Sequence, residues 1–400
     1  MRTTFITRTV SILFLLILCS FAVSVRAQSN MQGDNLLIFG EPIAADLAGG
    51  EQDFWTFNGT AGQIIAVSAE RFPPDPDSQL DLAVDVYDPA GTLIASDDNS
   101  APGTDAMIWA LQLPVDGVYT VVVRNITTWI GGNYQVTAVE NAFAGCFSPQ
   151  GTMFEAEMQS VIVGHAVRYR VYMPPCHEST GVRYPYVILM HGSNSDDRHW
   201  DRLGIDEAIG RGVVLNRLPP MAVVLPFGGE LANTNTFRQG ASWEYVVIDE
   251  LMPLVESAYC LQNTAAGRAI GGISRGGFWA FEIAFLNPDV FGALGGHSPF
   301  FDLYHAPPDH NPLDLTQVPG IQPPFRIWMD RGKDDYAQLN IDRQHNNMQQ
   351  NNIPHIFNLY ATGRHEDAYW QSHLDDYLNF YGENWSMDVS GYPLCEPGAQ

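Results

Sequence analysis

Lysine is nearly missing from this chain. Lys333 is the only one in 400 residues, and 20 basic residues in all face 45 acidic ones, for a formal charge of −25. A chain so short of positive charge lacks the basic face that nucleic acid or an anionic membrane surface demands, and both are excluded as partners. Lysine-based Schiff-base chemistry is excluded everywhere but at one position. Charged residues make up only 16% of the chain against 46% hydrophobic ones, which excludes a disordered chain or a coiled coil. Long apolar runs are scarce as well: after residue 25 none approaches the roughly 20 residues of a membrane span.

The apolar run that does exist lies at the start. Arg2 and Arg8 precede the stretch Val10 to Val25, and Val25-Arg26-Ala27 places small residues at the −3 and −1 positions of a cleavage site. This reads as a bacterial-type export signal spanning 1–27, cleaved after Ala27, leaving a secreted protein without a membrane anchor. Cys19 leaves with the signal. Cys146, Cys176, Cys260 and Cys395 remain, and an even number of cysteines in an oxidising compartment reads as two disulfides with three connectivities open. Cys146 and Cys176 flank an expected hairpin, and Cys395 lies in the tail 388–400.

The pattern changes near residue 143. From 28 to 142 the chain reads as short strands: Phe54–Phe57, Gln63–Val67, Leu82–Tyr87, Tyr119–Val123 and Tyr134–Val139. Asp88-Pro89-Ala90-Gly91, Asp116-Gly117 and Gly131-Gly132 supply turns. Five or more strands with no helical stretch predict an all-β sandwich. The segments Asp81-x-x-x-Asp85-x-Tyr87-Asp88-Pro89-x-Gly91, Ser96-Asp97-Asp98 and Gly117-x-Tyr119-x-Val121 resemble the pre-peptidase C-terminal type of accessory domain. Asp81, Asp85, Asp97, Asp98 and Asp105 have two readings: ligands of a weakly held calcium ion, or turn-forming and solubilising acids. Carbohydrate is the other ligand open to this domain.

From 143 to 387 strands alternate with helices. Strands are expected at Arg168–Tyr172, Tyr186–Met190, Met221–Leu225, Ala269–Ile273, Arg326–Met329 and Ile356–Tyr360. Helices are expected at Tyr245–Tyr259, Gly276–Leu286 and Tyr336–Asn351. Continuous apolar strands between amphipathic helices predict a mostly parallel sheet with helices on both faces.

Within that region, Gly272-Ile273-Ser274-Arg275-Gly276 follows a strand and opens a helix, the setting of a nucleophile elbow that exposes Ser274. A nucleophilic serine needs a base, and the base an orienting acid. His365 follows the last strand and is the expected base. Asp330, Asp334 and Asp335 follow the strand before it. The histidines and acids from His297 to Asp314 lack zinc-ligand spacing and read as a solvated loop, with no metal or cofactor expected.

Residues 160 to 385 resemble the putative-esterase family of α/β-hydrolases, which includes esterase D, feruloyl and enterochelin-type esterases and mycolyltransferases. The resemblance rests on Tyr172-x-Pro174-Pro175, Tyr186 through Gly192, Asp249 through Glu256, Gly271 through Gly277, Gly332-Lys333-Asp334-Asp335 and Gly363-Arg364-His365. It implies Asp335 as the acid, with Asp334 second and Asp330 bracing the loop. It further implies an oxyanion hole from the amides of Arg275 and Ser193, with Gly192 permitting the close approach and His191 anchoring the loop. The loop Gly296–Phe301, with His297, and the indoles Trp243 and Trp370 are expected to rim the substrate pocket, or else to be edge packing. Three functions compete: a serine hydrolase of polysaccharide-linked (feruloyl or acetyl) or other small extracellular esters, an acyltransferase with the same triad, and a non-catalytic binding protein on the same fold.

Overall fold

The computed structural model describes residues 35–74, 78–101, 104–140, 151–234, 237–304 and 306–395. The expected export signal and Cys146 lie outside the described residues.

Among the described residues, eight strands build the amino-terminal region: β1 Ile43–Leu47, β2 Gln52–Gly59, β3 Ile64–Arg71, β4 Leu82–Tyr87, β5 Leu93–Asp97, β6 Ala106–Gln112, β7 Gly117–Asn125 and β8 Gly132–Glu140. They form two four-stranded antiparallel sheets, ordered β1-β8-β3-β6 and β2-β7-β4-β5. Alternate side chains of facing strands meet between the sheets: Trp55 and Phe57 from β2, Val84 and Val86 from β4, Tyr119 and Val121 from β7, Tyr134 and Val136 from β8. Two of the polar tips in this core, those of Trp55 and Tyr134, are satisfied together. Trp55 Nε1 donates to the Tyr134 hydroxyl at 2.9 Å, and that hydroxyl donates to Asp53 at 2.7 Å. Of the five aspartates read as calcium ligands or surface acids, three have partners of their own. Asp85 accepts from Arg124 Nε at 2.7 Å, Asp97 from the Met107 amide at 2.8 Å, and Asp105 from Arg71 Nε at 2.8 Å.

The second region is an eight-stranded sheet of β9 Thr152–Gln159, β10 Ala166–Met173, β11 Tyr186–Met190, β12 Ala222–Pro226, β13 Arg268–Ile273, β14 Ala293–His297, β15 Arg326–Gly332 and β16 Ile356–Tyr360. Its order is β16-β15-β14-β13-β11-β12-β10-β9. The pairings from β12 through β16 are parallel, whereas β10 runs antiparallel to both β12 and β9. Strand β11 shows why its sequence is apolar throughout. Tyr186, Ile188 and Met190 pack into one cluster with Phe278 and Phe281 of the helix Arg275–Leu286, while Val187 and Leu189 join Ile209, Tyr377 and Tyr381 in another. Each fully buried large side chain of this kind contributes ~1.5–3 kcal/mol.

Two local expectations are corrected. The helix expected over Tyr245–Tyr259 is three short pieces: Trp243–Tyr245, a π-helical turn Val246–Leu251, and Met252–Ala258, which carries Pro253 in its first turn. Proline has no amide to donate there, and the wider turn accommodates it. Strand β14 is not among the expected strands, and its last two residues fall in the loop expected over Gly296–Phe301. In the fold a Cβ on Gly271 or Gly295 would collide with the Tyr381 hydroxyl, so these glycines let the helix Leu374–Gly382 lie against the sheet.

The sandwich and the sheet pack as parts of one unit. Glu70 of β3 lies 2.7 Å from Arg217 Nη2 and 3.4 Å from Arg211 Nε, beside an apolar patch of Met107, Trp109, Val139, Val214 and Leu215. Cys260 and Cys395 form a disulfide that holds the carboxyl-terminal tail against the domain, where the Cys395 amide also donates to the Gly181 carbonyl at 2.9 Å.

Candidate active site

Strand β13 ends in the sequence that turns directly into the helix Arg275–Leu286, and Ser274 sits at the corner. Its backbone has φ 55° and ψ −116°, a left-handed conformation that costs a non-glycine residue ~1–3 kcal/mol. The surroundings over-determine it. The Ser274 amide donates to the His297 carbonyl at 3.2 Å, and its carbonyl accepts from the amides of Phe300 at 2.8 Å and Phe278 at 3.2 Å. A Cβ on Gly276 would collide with the Met190 carbonyl, so only glycine fits where the helix crosses the end of β11.

The loops after β15 and β16 bring two more groups to this corner. His365 Nε2 lies 2.8 Å from Ser274 Oγ, and His365 Nδ1 lies 3.1 Å from Asp335 Oδ1. A carboxylate accepts only, so Nδ1 carries the hydrogen and Nε2 is left to accept from the serine hydroxyl. Asp335 has no solvent exposure and also accepts from the Ala337 amide at 2.7 Å and the Ser298 hydroxyl. Burial pushes its carboxyl upward, but the hydrogen bonds from His365 and Ser298 outweigh that and hold it below the ordinary aspartate value. Asp334, one residue earlier, is exposed and offers its amide to the Gly363 carbonyl. Asp330 is fully buried and braces the site from behind, accepting from Trp328 Nε1, His297 Nδ1 and the Tyr369 hydroxyl at 2.7, 3.0 and 2.6 Å.

The loop after β11 forms the opposite wall. His191 Nε2 accepts from the Gly228 amide at 3.1 Å, so its Nδ1 donates to the Gly192 carbonyl at 2.7 Å. Burial lowers its pKa and keeps the ring neutral in this bracing role. Arg170 ties down the far end of the loop through Asp197 at 3.1 Å and Asp201 at 3.3 Å. A Cβ on Gly192 would stand 3.6 Å from that of Ser274, so the loop passes close to the serine. The Gly192 amide is turned to His199 Nδ1 at 3.4 Å, and His199 Nε2 in turn donates to Asp367 at 3.0 Å. The amide of Arg275 opens the helix, where the first-turn N–H groups have no partner within the helix itself.

Between these walls lies a cleft of about 470 Å³ whose lining includes Ser193, Ser274, Phe300, Tyr336, His365 and Trp370. The Tyr336 ring stands 4.5 Å from that of His365, and the Trp370 ring lies 5.1 Å from the same imidazole, nearly perpendicular to it. Tyr336 and His199 went unnoticed in the sequence. The signal for Tyr336 was its place directly after the acid; His199 gave none, since its partner Asp367 is 168 residues away.

Two residues expected at the pocket are not there. Trp243 is only 2% exposed and packs in the core beneath Gly228, away from the cleft. His297 is completely buried, with Nδ1 on Asp330, Nε2 at 2.8 Å from the Tyr381 hydroxyl, and its ring 3.7 Å from that of Tyr377. Both rings fill interior space that only tertiary packing defines. Arg275 likewise directs its guanidinium inward, donating from Nε to the Ala232 carbonyl at 2.9 Å and lying over the Phe278 ring at 4.6 Å. Desolvation lowers it to about 9.

The profile of the family described as putative esterase matches residues 160–381, and that of the bacterial pre-peptidase C-terminal domain matches residues 51–125. The first match takes in more than half of the sequence, and the chain belongs to the putative esterase family. An esterase of Mycobacterium tuberculosis is 29% identical over 146 residues, 35% of this chain and 30% of that protein. An endo-1,4-beta-xylanase/feruloyl esterase of Xylanibacter ruminicola is 30% identical over 125 residues, 28% of this chain and 16% of that one. The chain thus spans less than a third of either curated relative. A solved ferulic acid esterase superposes with a TM-score of 0.54 at 21% identity, covering 59% of this chain and 100% of the other, which shows a shared α/β-hydrolase fold.

Proposed function

We propose that this chain is a serine carboxylic-ester hydrolase in which Ser274 is the nucleophile, His365 the general base and then acid, and Asp335 the orienting carboxylate. The observation that carries this reading is the unbroken chain of contacts from Ser274 Oγ through His365 to the buried Asp335. Ser274 Oγ attacks the ester carbonyl carbon as its proton passes to His365 Nε2. Negative charge gathers on the carbonyl oxygen, where the amides of Arg275 and Ser193 stabilise it; one such donor contributes ~2.7–4 kcal/mol to the transition state. The tetrahedral intermediate expels the alcohol, which takes the proton from His365, and leaves an acyl-serine. Water then attacks, His365 accepts its proton, and the carboxylate departs as the serine is reprotonated.

The aromatic walls supplied by Trp370, Tyr336 and Phe300 favour an aromatic acyl group such as a feruloyl ester borne on a polysaccharide, in keeping with the activity named for the Xylanibacter relative. The enzyme is exported, with the sandwich of residues 28–142 as an accessory domain beside the hydrolase domain of residues 143–387. The Cys260–Cys395 disulfide favours an oxidising compartment.

Hydrolysis of p-nitrophenyl acetate and methyl ferulate by the purified chain, beside Ser274→Ala, tests the reading. Both substrates are turned over by the wild type and neither by the variant. Equal rates in the two proteins would refute it.

A further inference from the structure

Away from the cleft, three side chains of ligand type converge on one point. Glu244 comes from the short turn Trp243–Tyr245, Glu282 from the elbow helix, and His310 from the segment after β14, each offering an atom within 4.8 Å of the others. The last of these overturns the expected solvated loop, since His310 Nδ1 is 2.7 Å from Glu282 Oε1 and the neighbouring Asn311 is fully buried. Glu282 is the informative member. Its side chain has no solvent exposure, yet Oε2 has no hydrogen-bond partner. A buried carboxylate oxygen without a donor is rare in folded proteins and calls for an explanation. Glu244 is already oriented from outside by Asn287 Nδ2, which donates to its Oε1 at 2.8 Å. The Phe237 ring closes one side of the group, 5.2 Å from that of His310.

We propose that Glu244, Glu282 and His310 bind a divalent transition-metal cation, with Zn2+ the best match. One imidazole and two carboxylates form a mixed nitrogen and oxygen donor set that suits zinc with a water as fourth ligand. Calcium would require six to eight oxygens, and magnesium a near-octahedral oxygen set, neither of which three side chains of this kind supply. The cation would fasten the 243–245 turn and the 307–311 segment to the elbow helix. Glu282 lies eight residues beyond Ser274 along that helix, or ~12 Å at 1.5 Å per residue, so the metal supports the elbow without touching substrate.

The test uses the untagged full chain, dialysed against a chelator and titrated with ZnCl2 by calorimetry. The expected result is saturable binding of one ion per chain and a higher Tm with zinc present. Glu282→Gln and His310→Ala should each weaken binding by at least about tenfold. His310 is partly exposed, so its variant folds and stays informative should Glu282→Gln fail to. Absence of saturable binding by the wild type would overturn the proposal. So would unchanged affinity in the variants, which would move the ion elsewhere, for example to His345 and His355, whose ring nitrogens approach to 2.7 Å.

Discussion

His365 Nδ1 and Asp335 Oδ1 are 3.1 Å apart, and the same carboxylate is held from its other sides by the Ala337 amide and the Ser298 hydroxyl. The acid is therefore fixed before the histidine uses it. Asp335→Asn keeps the shape but presents an amide that can donate to the imidazole and favour the wrong tautomer. Its kcat should fall by roughly 10⁴. Asp334→Asn, on an exposed side chain, should leave kcat within about twofold. Parallel steady-state kinetics on p-nitrophenyl acetate decide between the two acids, and a reversed pattern would assign the role to Asp334.

The depressed pKa of Asp335 also predicts a pH dependence of stability. A carboxyl whose folded value lies below its unfolded one stabilises the fold fully above the unfolded value, and that contribution is lost as pH falls through the folded value. The ordinary aspartate value is 3.8. The gap in unfolding free energy between wild type and Asp335→Asn should hold steady from neutral pH down to about 4 and close below it. Denaturant titrations across that range measure the gap, and closure already at about pH 6 would contradict the shift.

Gly276→Ala tests the elbow's packing. Alanine is the better helix former, so propensity alone predicts a gain. The collision of its Cβ with the Met190 carbonyl predicts a loss of about 3 kcal/mol or more, since overpacking against backbone is not easily relieved. A thermal melt with unchanged or raised Tm would show that the close crossing is not obligatory.

Tyr336→Ala should discriminate among substrates. The ring is 68% exposed and contributes little to the core, so the unfolding free energy should shift by less than about 0.5 kcal/mol. Loss of one aromatic contact worth ~0.5–1.5 kcal/mol should lower kcat/KM for methyl ferulate roughly 3- to 10-fold. Hydrolysis of p-nitrophenyl acetate should barely change. An equal loss on both substrates would mean that Tyr336 acts on His365 rather than on the acyl group.

The parts of the site that follow from chain-local chemistry were legible in the sequence. Ser274 announces itself by flanking glycines between an apolar strand and a helix, and His365 by its place after the last strand; position alone left Asp330, Asp334 and Asp335 open as the acid, and only the family resemblance singled out Asp335. The bracing roles of His191 and Asp330 likewise came from the resemblance. What the sequence hid depends on contacts between distant segments. Trp243 and His297 look like pocket residues in the one-dimensional text, but their rings fill interior volume set by Gly228 and by Tyr377 and Tyr381. Strand β14 was missed because its glycine pair, which lets helices pack against the sheet, carries no apolar strand pattern. Glu244, Glu282 and His310 share no spacing rule, since three separate elements deliver them to one point.

Covalent trapping is the direct test of Ser274 as the nucleophile. The purified chain is incubated with a fluorophosphonate, and the adduct is located by mass spectrometry of its peptides. A single phosphonyl group is expected on Ser274, abolished in Ser274→Ala and slowed in Asp335→Asn. A wild-type protein that takes up no label, or takes it up on another serine, would contradict a nucleophile at Ser274.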